Sequence, residues 1–454
     1  MMVRAKYFII IIDICMAYLC LAGAYLIRFG HVTISESLFS WSILEVLSCL
    51  CVVFFFSYLF ELYERQKFVS RKFLFYRVLS TGVGSFFLLS ALFYLLPFLQ
   101  IGRGILLISL VLFCCAQYGS RLLIRKFSHS AQFATRILIV GAGELAKSIA
   151  EIVPKDQNVH SFVRFVSCTE RDPEVDPALI VGNIKEIDSL IHDYRPQKLV
   201  VALNERRGNL PLKEFMRSKL RGIEIVEATT YFEQVKGCLL IENMQPSAFV
   251  YTHSFRMTPF MRGYKRIYDI VFSVIGLLLS SPLFPVLAVI IKLDTPGPVF
   301  YKQLRVGENE VEYFVYKFRT MGQDAEKQSG AVWAQKDDPR VTRIGQFLRK
   351  TRLDEIPQLY NVLKGDMSFI GPRPERMAFV EKLKETIPFY SIRHFVKPGV
   401  TGWAQVCYPY GASDADALEK MRYDLFYIKN YSVFLDFKII IDTIRVVLTG
   451  FGGR

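Results

Sequence analysis

The chain has 454 residues, with 56 Lys+Arg against 42 Asp+Glu and a formal net charge of +14. Hydrophobic residues make up 52% and charged ones 22%, with a mean hydropathy of +0.28, which excludes a disordered chain and a simple soluble enzyme. A basic protein this apolar fits a membrane better than a nucleic acid, and no nucleic-acid partner is expected. The charge is also uneven: residues 1–130 hold 12 basic and 5 acidic side chains, 131–261 hold 16 and 16, and 262–454 hold 28 and 21.

Four apolar stretches open the chain, at 7–27, 42–60, 74–96 and 101–124. Each is near the ~20 residues a helix needs to cross a bilayer, and none has the polar face of a soluble helix. The first is too long for a signal peptide, and Arg28 stands where a small-residue cleavage site would be. Arg4 and Lys6 precede the first stretch, Arg65, Lys67, Arg71, Lys72 and Arg77 separate the second from the third, and Arg121, Arg125 and Lys126 close the fourth. The other two connections carry Arg28 and Arg103. The positive-inside bias then puts both ends of this bundle in the cytoplasm.

The middle third alternates strands and helices. Arg136 to Val140 reads as a buried strand, and Gly141-Ala-Gly-Glu-Leu-Ala146 turns from it into a helix. Glycines at this spacing let a phosphate approach the backbone, so Gly141 and Gly143 form a candidate nucleotide loop. Further strands are expected at 162–167, 179–181, 198–203 and 223–227, which implies a parallel α/β sheet of Rossmann-like type. The acidic residue that ends the second strand of dinucleotide sites is missing at Ser167-Cys168. Tyr194 and Lys198 have the spacing of a dehydrogenase dyad, but Pro196 lies between them. An architectural module, a site for a small regulator and a redox site all remain open here.

The last third begins with Arg262, Lys265 and Arg266, then an apolar stretch at 267–291 ended by Lys292. A full span is the plain reading of its length. Basic residues at both ends draw both to the cytoplasm, and Ser280-Ser281-Pro282 with Pro285 interrupts the helix near its middle. Those two features together favour a re-entrant helix over a span. A β-hairpin is expected over 300–321, turning near Gly307–Glu310, with Lys317 and Arg319 on one face and Phe314, Tyr316 and Phe318 on the other.

The densest polar segment follows. Asp354 and Glu355 precede Pro357, where acidic residues commonly cap a helix. They are surrounded in sequence by Arg340, Arg343, Arg349, Lys350, Arg352, Lys364, Arg373 and Arg376. Such cations keep a carboxylate ionised and draw in phosphates. An ionised carboxylate can attack phosphorus to form an acyl phosphate, and a neighbouring one can hold Mg2+. The final stretch, 434–451, is apolar but carries Asp436, Lys438, Asp442 and Arg445, as an interfacial helix would.

Five ordered motifs carry a resemblance: Lys317-Phe-Arg-Thr-Met321, Asp338-Pro-Arg-Val-Thr-Arg-Ile-Gly345, Leu353-Asp-Glu-Ile-Pro-Gln358, Gly371-Pro-Arg-Pro374 and Lys397-Pro-Gly-Val-Thr-Gly-Trp-Ala-Gln405. They resemble the bacterial sugar transferases that initiate exopolysaccharide or O-antigen assembly, the polyprenyl-phosphate glycosylphosphotransferases (monotopic phosphoglycosyl transferases). The order of domains resembles the family's large, exopolysaccharide-type members. The resemblance implies a transfer of sugar 1-phosphate from a UDP-sugar to undecaprenyl phosphate with release of UMP. Asp354 would attack the phosphate bearing the sugar, and Glu355 would help place Mg2+ or the acceptor. Both carboxylates are thus candidate metal ligands. Lys317, Arg319, Arg340, Arg343 and Arg373 are the candidates for substrate-phosphate binding, and Ser281-Pro282 matches the helix break of the family's re-entrant anchor. Two departures stand out: Arg352 where many members carry Ser, and Cys407-Tyr-Pro-Tyr-Gly411 in place of the common Asn-Gly-x-x-Gly.

The expected protein is therefore a mixed membrane protein of three parts. These are a four-helix transmembrane bundle (1–130), a Rossmann-like α/β module (131–250), and an α+β phosphoglycosyl transferase core (251–454) with a re-entrant helix at 267–291. Its expected partners are a UDP-sugar, undecaprenyl phosphate and the lipid bilayer of a bacterial inner (cytoplasmic) membrane, with the core on the cytoplasmic face. A homo-oligomer is compatible with the sequence. The competing functions are a membrane-tethered nucleotide-sugar epimerase or dehydratase using Gly141 and Gly143, and a non-enzymatic scaffold of an envelope polysaccharide complex.

Overall fold

The computed structural model describes residues 2–30, 42–63, 71–128, 135–153, 161–168, 173–203, 211–244, 255–322, 338–408 and 413–449, with positions 246, 249, 325 and 411 besides. The chain divides into two compact units, Met1–Glu227 and Ala228–Arg454.

The first unit opens with four helices: α1 (Met2–Phe29), α2 (Ile43–Leu59), α3 (Arg71–Leu95) and α4 (Arg103–Ser128). The segments Phe8–Phe29, Arg71–Leu95 and Arg103–Lys126 are long and apolar enough to cross a membrane, while α2, at 17 residues, is shorter. Their shared core holds Leu21, Ala24, Val52, Leu89 and Phe113. Their outer surface is equally apolar, with Phe8, Leu19, Leu47, Phe87 and Leu107 exposed. Such a surface suits hydrocarbon and not water.

Arg121 has a different place from the one its loop position suggested. It is fully buried, with Nη1 and Nη2 donating to the two oxygens of Asp13 at 2.9 and 2.6 Å and Nε donating to the Leu62 carbonyl. Gln117 Nε2 donates to the same carboxylate and to Ser57 Oγ. A charge inside an apolar bundle persists only when it is paired in this way. Arg121 therefore ties α4 to α1 and to the end of α2.

All five strands expected in the middle third are present and parallel: β1 (Thr135–Val140), β2 (Ser161–Ser167), β3 (Ile180–Asn183), β4 (Lys198–Val201) and β5 (Glu224–Glu227), in the order β3-β2-β1-β4-β5. Leu138, Ile139 and Val140 are completely buried, as a central parallel strand covered on both faces requires. The strand order reverses between β1 and β4, and Gly141 follows β1 at that point. Its φ of +126° and the 2.4 Å between an added Cβ and the Ala202 carbonyl oxygen leave room only for glycine. Gly143 caps α5 (Glu144–Ile152) at an ordinary φ of −86°, and a Cβ there would meet nothing within 4 Å. Close strand packing explains Gly141 and leaves Gly143 unexplained.

Helices α6 (Ile187–Tyr194) and α7 (Leu212–Leu220) complete the first unit. The second unit begins at α8 (Ala228–Lys236), because Leu239 and Ile241 just beyond it belong to this unit's core and Trp403 Nε1 donates to the Gly237 carbonyl at 2.7 Å. Helices α9 (Pro259–Ser280) and α10 (Leu283–Asp294) follow, bent 61° apart at Ser281-Pro282. Ser280 Oγ donates to the Gly276 carbonyl and Ser281 Oγ to that of Leu278, so hydroxyls take carbonyls beside the proline break. Helix α9 is inside out. It buries Lys265, Asp269, Ser273 and Ser280 and exposes Ile267, Val271, Leu278 and Leu279. The polar stripe is held by specific partners: Arg266 donates to the Val362 and Leu363 carbonyls, both at 2.7 Å, and Asp269 accepts from Ser368 Oγ and the Phe369 N–H.

The hairpin consists of β6 (Phe300–Val306) and β7 (Glu312–Phe318), antiparallel, with Phe300 opposite Phe318. Its face assignment needs correction. Of the aromatic face, Phe318 is packed at 1% exposure but Phe314 is 47% exposed, while Tyr313 and Val315, on the same side as Lys317, are buried against Val362 and Met367. Neighbouring α12 (Gln358–Lys364) lies against that side, and periodicity alone cannot tell which face a helix will cover. Helix α11 (Arg343–Thr351) precedes α12. Strand β8 (Ser368–Ile370) pairs in parallel with β9 (Gly399–Thr401), and α13 (Met377–Thr386), α14 (Trp403–Cys407), α15 (Asp414–Lys429) and α16 (Val433–Thr449) complete the unit. Helix α16 buries Asp436 and Asp442 and exposes Phe434, Phe437 and Val447, while Phe451 lies outside the described residues.

Candidate active site

Asp354 and Glu355 stand in a short 3-10 turn, Leu353–Glu355, between α11 and α12. The turn starts from Arg352 in the left-handed region, φ +59°, and the Glu355 N–H closes on the Arg352 carbonyl at 3.2 Å. Apolar neighbours fix which way it faces. Leu353 and Ile356 pack among Leu287, Ile291, Phe318 and Leu348, so the membrane-type helix α10 forms the floor beneath the carboxylates. A Cβ on Gly276 of α9 would come within 2.8 Å of Leu359, one turn beyond. The turn that carries the acidic pair therefore rests on the bent helix pair through its apolar residues.

Both carboxylates are buried, at 7% and 8% exposure. Glu355 Oε1 accepts from Lys317 Nζ and from Arg373 Nη2, each at 2.8 Å, and Arg352 Nη1 lies 3.6 Å from Oε2. Those cations hold Glu355 well below the usual carboxylate range despite its burial. Asp354 moves the other way, its carboxyl raised by burial and by the neighbouring Glu355 against the pull of Lys317, Arg349 and Arg373. Its Oδ1 is buried without a hydrogen-bond partner. Two adjacent carboxylates are thus driven apart, the pattern by which one site obtains two roles. Glu355 is engaged by cations. Asp354 has an oxygen to give.

The structure brings together four of the expected residues, Asp354, Glu355, Lys317 and Arg373. Arg319 is elsewhere: at 6% exposure its Nη atoms donate to the Pro296, Thr295 and Ile291 carbonyls, at the end of α10. It ties the hairpin to the bent helix pair. Arg340 makes a two-point contact with Asp338, at 2.8 and 2.6 Å, which holds the Asp338 carboxyl below its ordinary value. Arg343 is exposed on the first turn of α11.

Several contributors carry no sequence signal beyond their type. Asn361 is fully buried, with Nδ2 donating to the Phe314 carbonyl and Oδ1 accepting the Tyr316 N–H, so it holds β7, and with it Lys317, against α12. Arg349 Nε donates to Thr320 Oγ1. The glycines of two motifs meet back to back. A Cβ on Gly371 would lie 2.3 Å from the Lys397 carbonyl oxygen, one on Gly399 2.1 Å from Gly371 N, and one on Gly402 2.1 Å from Gly371 O. Backbone-to-backbone contact this close explains why the Gly371-Pro-Arg-Pro and Pro-Gly-Val-Thr-Gly stretches contain glycine.

A divalent cation needs hard oxygen ligands. Among the described residues no group of three or more His, Cys, Asp or Glu could hold a metal. A metal cage built of protein alone is therefore absent from them. Asp354, with its unpartnered oxygen, fits a cation shared with substrate phosphates, while Glu355 fits less well because Lys317 and Arg373 occupy Oε1.

A family model described as bacterial sugar transferase matches residues 260–450. An exopolysaccharide production protein of Rhizobium leguminosarum bv. phaseoli is 43% identical over 190 residues, 41% of this chain and 95% of that protein. The chain belongs to the bacterial sugar transferase family. Two further relatives of this sugar transferase match part of the chain. The UDP-N-acetylgalactosamine-undecaprenyl-phosphate N-acetylgalactosaminephosphotransferase of Aeromonas hydrophila is 45% identical over 238 residues, 52% of this chain and 55% of that one. The UDP-glucose:undecaprenyl-phosphate glucose-1-phosphate transferase of Escherichia coli K12 is 45% identical over 184 residues, 40% of this chain and 39% of that one. The sugar transferase thus spans about half, or less, of the length of these two relatives.

Proposed function

We propose that the protein transfers a hexose or N-acetylhexosamine 1-phosphate from a UDP-sugar to undecaprenyl phosphate, releasing UMP, as an initiating step of polysaccharide assembly. The observation that carries this reading is the unpartnered oxygen of a buried Asp354 beside a carboxylate saturated with cations. The relatives' names supply the chemistry for which that arrangement is suited.

In the first half-reaction an Asp354 oxygen attacks the phosphorus bearing the sugar. The bond from that phosphorus to the bridging oxygen of UMP breaks, and UMP leaves with the electron pair. The intermediate is a mixed anhydride of the Asp354 carboxylate and the sugar phosphate. In the second, an oxygen of undecaprenyl phosphate attacks the same phosphorus and returns the carboxylate. Lys317 and Arg373, already gathered by Glu355, would bind donor phosphate oxygens, with Arg349 and Arg352 close by. Mg2+, held by Asp354 together with the donor's phosphates, would neutralise charge on the diphosphate. Glu355 would join as a ligand only by releasing Lys317 and Arg373.

The same reading supplies a location. Four membrane-spanning helices, including the shorter α2, would anchor the chain in a bacterial inner membrane. The α9–α10 pair would be re-entrant, with both ends on the cytoplasmic side. The apolar outer stripes of α9 and α16 support this, because they would hold the carboxylates at headgroup depth, where a lipid phosphate lies. The Rossmann-like module is read as a spacer or a site for a small regulator at Gly143.

The full-length protein in liposomes containing undecaprenyl phosphate should release UMP from at least one of UDP-glucose, UDP-galactose and their N-acetylated forms. Absence of UMP with all four would refute the assignment.

A further inference from the structure

The loop that presents Arg373 has four consecutive carbonyls, and each is taken by a different partner. Pro372 O accepts from Gly399 N at 2.9 Å and Glu375 O from Val306 N at 2.9 Å. Between them, Arg373 O accepts from Arg393 Nη2 at 2.9 Å and Pro374 O from Arg305 Nη1 at 3.1 Å. Two guanidinium groups thus hold the loop by its backbone while the Arg373 side chain is left to reach Glu355.

Arg393 is almost completely enclosed. It is 7% exposed, sits in a 3-10 segment (Tyr390–Phe395), and is held by Asp424 Oδ2 at 2.9 Å and by the Tyr390 hydroxyl. Asp424 is itself 2% exposed and lies on α15. A charged pair buried this deeply is a weak source of net stability, and its geometry suits a different task. The planar fork of arginine lets one group engage Asp424, Tyr390 and the Arg373 carbonyl at once. A lysine ammonium, a single point of charge, cannot span all three.

We propose that Arg393, anchored by Asp424 and Tyr390, is a positioning residue for the transfer reaction. Through the Arg373 carbonyl it sets where the Arg373 guanidinium stands beside Glu355 and the donor phosphates. The proposal rests on the sugar-phosphate transferase reading. It goes beyond that reading by giving a function to a residue whose side-chain partners are Asp424, the Tyr390 hydroxyl and the Arg373 carbonyl.

A double-mutant cycle on the full-length protein in undecaprenyl-phosphate liposomes tests it, with UMP release as the readout. Arg393→Lys and Arg373→Lys should each slow release about 10-fold, with the same division between KM for the UDP-sugar and kcat. The double variant should be no more than about 2-fold slower than Arg373→Lys alone. Either an Arg393→Lys rate within about 2-fold of wild type or a double variant near 100-fold slower would overturn the proposal. If Arg393→Lys does not fold, Tyr390→Phe, which removes only a hydroxyl, takes its place. It should slow release about 3-fold in the wild-type background and not at all in Arg373→Lys, and equal slowing in both would overturn the proposal. A wild-type protein that releases no UMP from any donor instead refutes the transferase reading, and the positioning role falls with it.

Discussion

Glu355→Gln is the substitution whose cost follows most directly from the geometry. It removes one negative charge and leaves Lys317, Arg373 and Arg352 facing one another across a buried amide. Removing one partner of a fully buried ion pair costs roughly 3–5 kcal/mol. Here the three cations keep 25%, 30% and 26% side-chain exposure, so each can rehydrate in part. Halving the cost for that screening leaves about 2 kcal/mol. For a unit of this size that is a fall of roughly 4–8 °C in unfolding midpoint. The sign with pH follows from the shift: a carboxyl held below its unfolded value contributes stability above about pH 4.3, lost as pH falls through its folded value. The gap between wild type and variant should therefore be full at pH 7 and narrow only below about pH 4. Thermal unfolding of the detergent-solubilised full-length protein, followed by tryptophan fluorescence across that range, measures it. A variant midpoint equal to or above wild type at pH 7 would refute the claim that Glu355 compensates these cations.

Three further outcomes are expected. Burial and the adjacent Arg393 push the His394 imidazole down to about 4 from 6.5, so its contribution is full above pH 6.5 and lost as pH falls toward 4, roughly 3 kcal/mol in all. In His394→Leu the unfolding midpoint should lose that part of its acid sensitivity; an unchanged slope between pH 4 and 6.5 would contradict it. Gly371→Ala should lower the unfolding midpoint by roughly 4–12 °C, since its Cβ would stand 2.3 Å from a carbonyl oxygen, whereas Gly143→Ala should change it by less than about 1 °C; circular dichroism and thermal melts separate the two. In a cysteine-depleted background, cysteines at positions 262 and 292 should both be labelled from the cytoplasmic side, and labelling from opposite sides would mean that α9 and α10 span the membrane.

The sequence made some elements readable and hid others for physical reasons. The five parallel strands were legible because each is a short apolar run bounded by turn residues, and two-sided burial leaves no other pattern. The bend at Ser281-Pro282 was legible because proline removes a backbone donor wherever it stands. The packing of β7 on both faces was not, since two faces of alternating residues differ only in what covers them: α12 covers the side of Tyr313, and α10 and α11 cover Phe318. Asp354 and Glu355 could be picked out as a pair, but their opposite shifts depend on Lys317 and Arg373, which converge from 37 residues before and 19 after Asp354 (354 − 317 and 373 − 354). The enclosure of Arg319 and Arg121 was not legible, because their partners come from distant segments. A cation in a motif or at a helix end looks available until the carbonyls and carboxylate that enclose it are seen.

In the proposed mechanism Asp354 carries the sugar phosphate between donor and lipid. Incubating the full-length protein with its UDP-sugar in the absence of undecaprenyl phosphate, followed by rapid acid quench and peptide mass spectrometry, reads that step out by itself. Wild type should release about one UMP per protein and carry a hexose-phosphate adduct on the peptide containing Asp354, while Asp354→Asn should do neither. Turnover by Asp354→Asn at the wild-type rate, or an adduct on another residue, would mean that Asp354 is not the carrier.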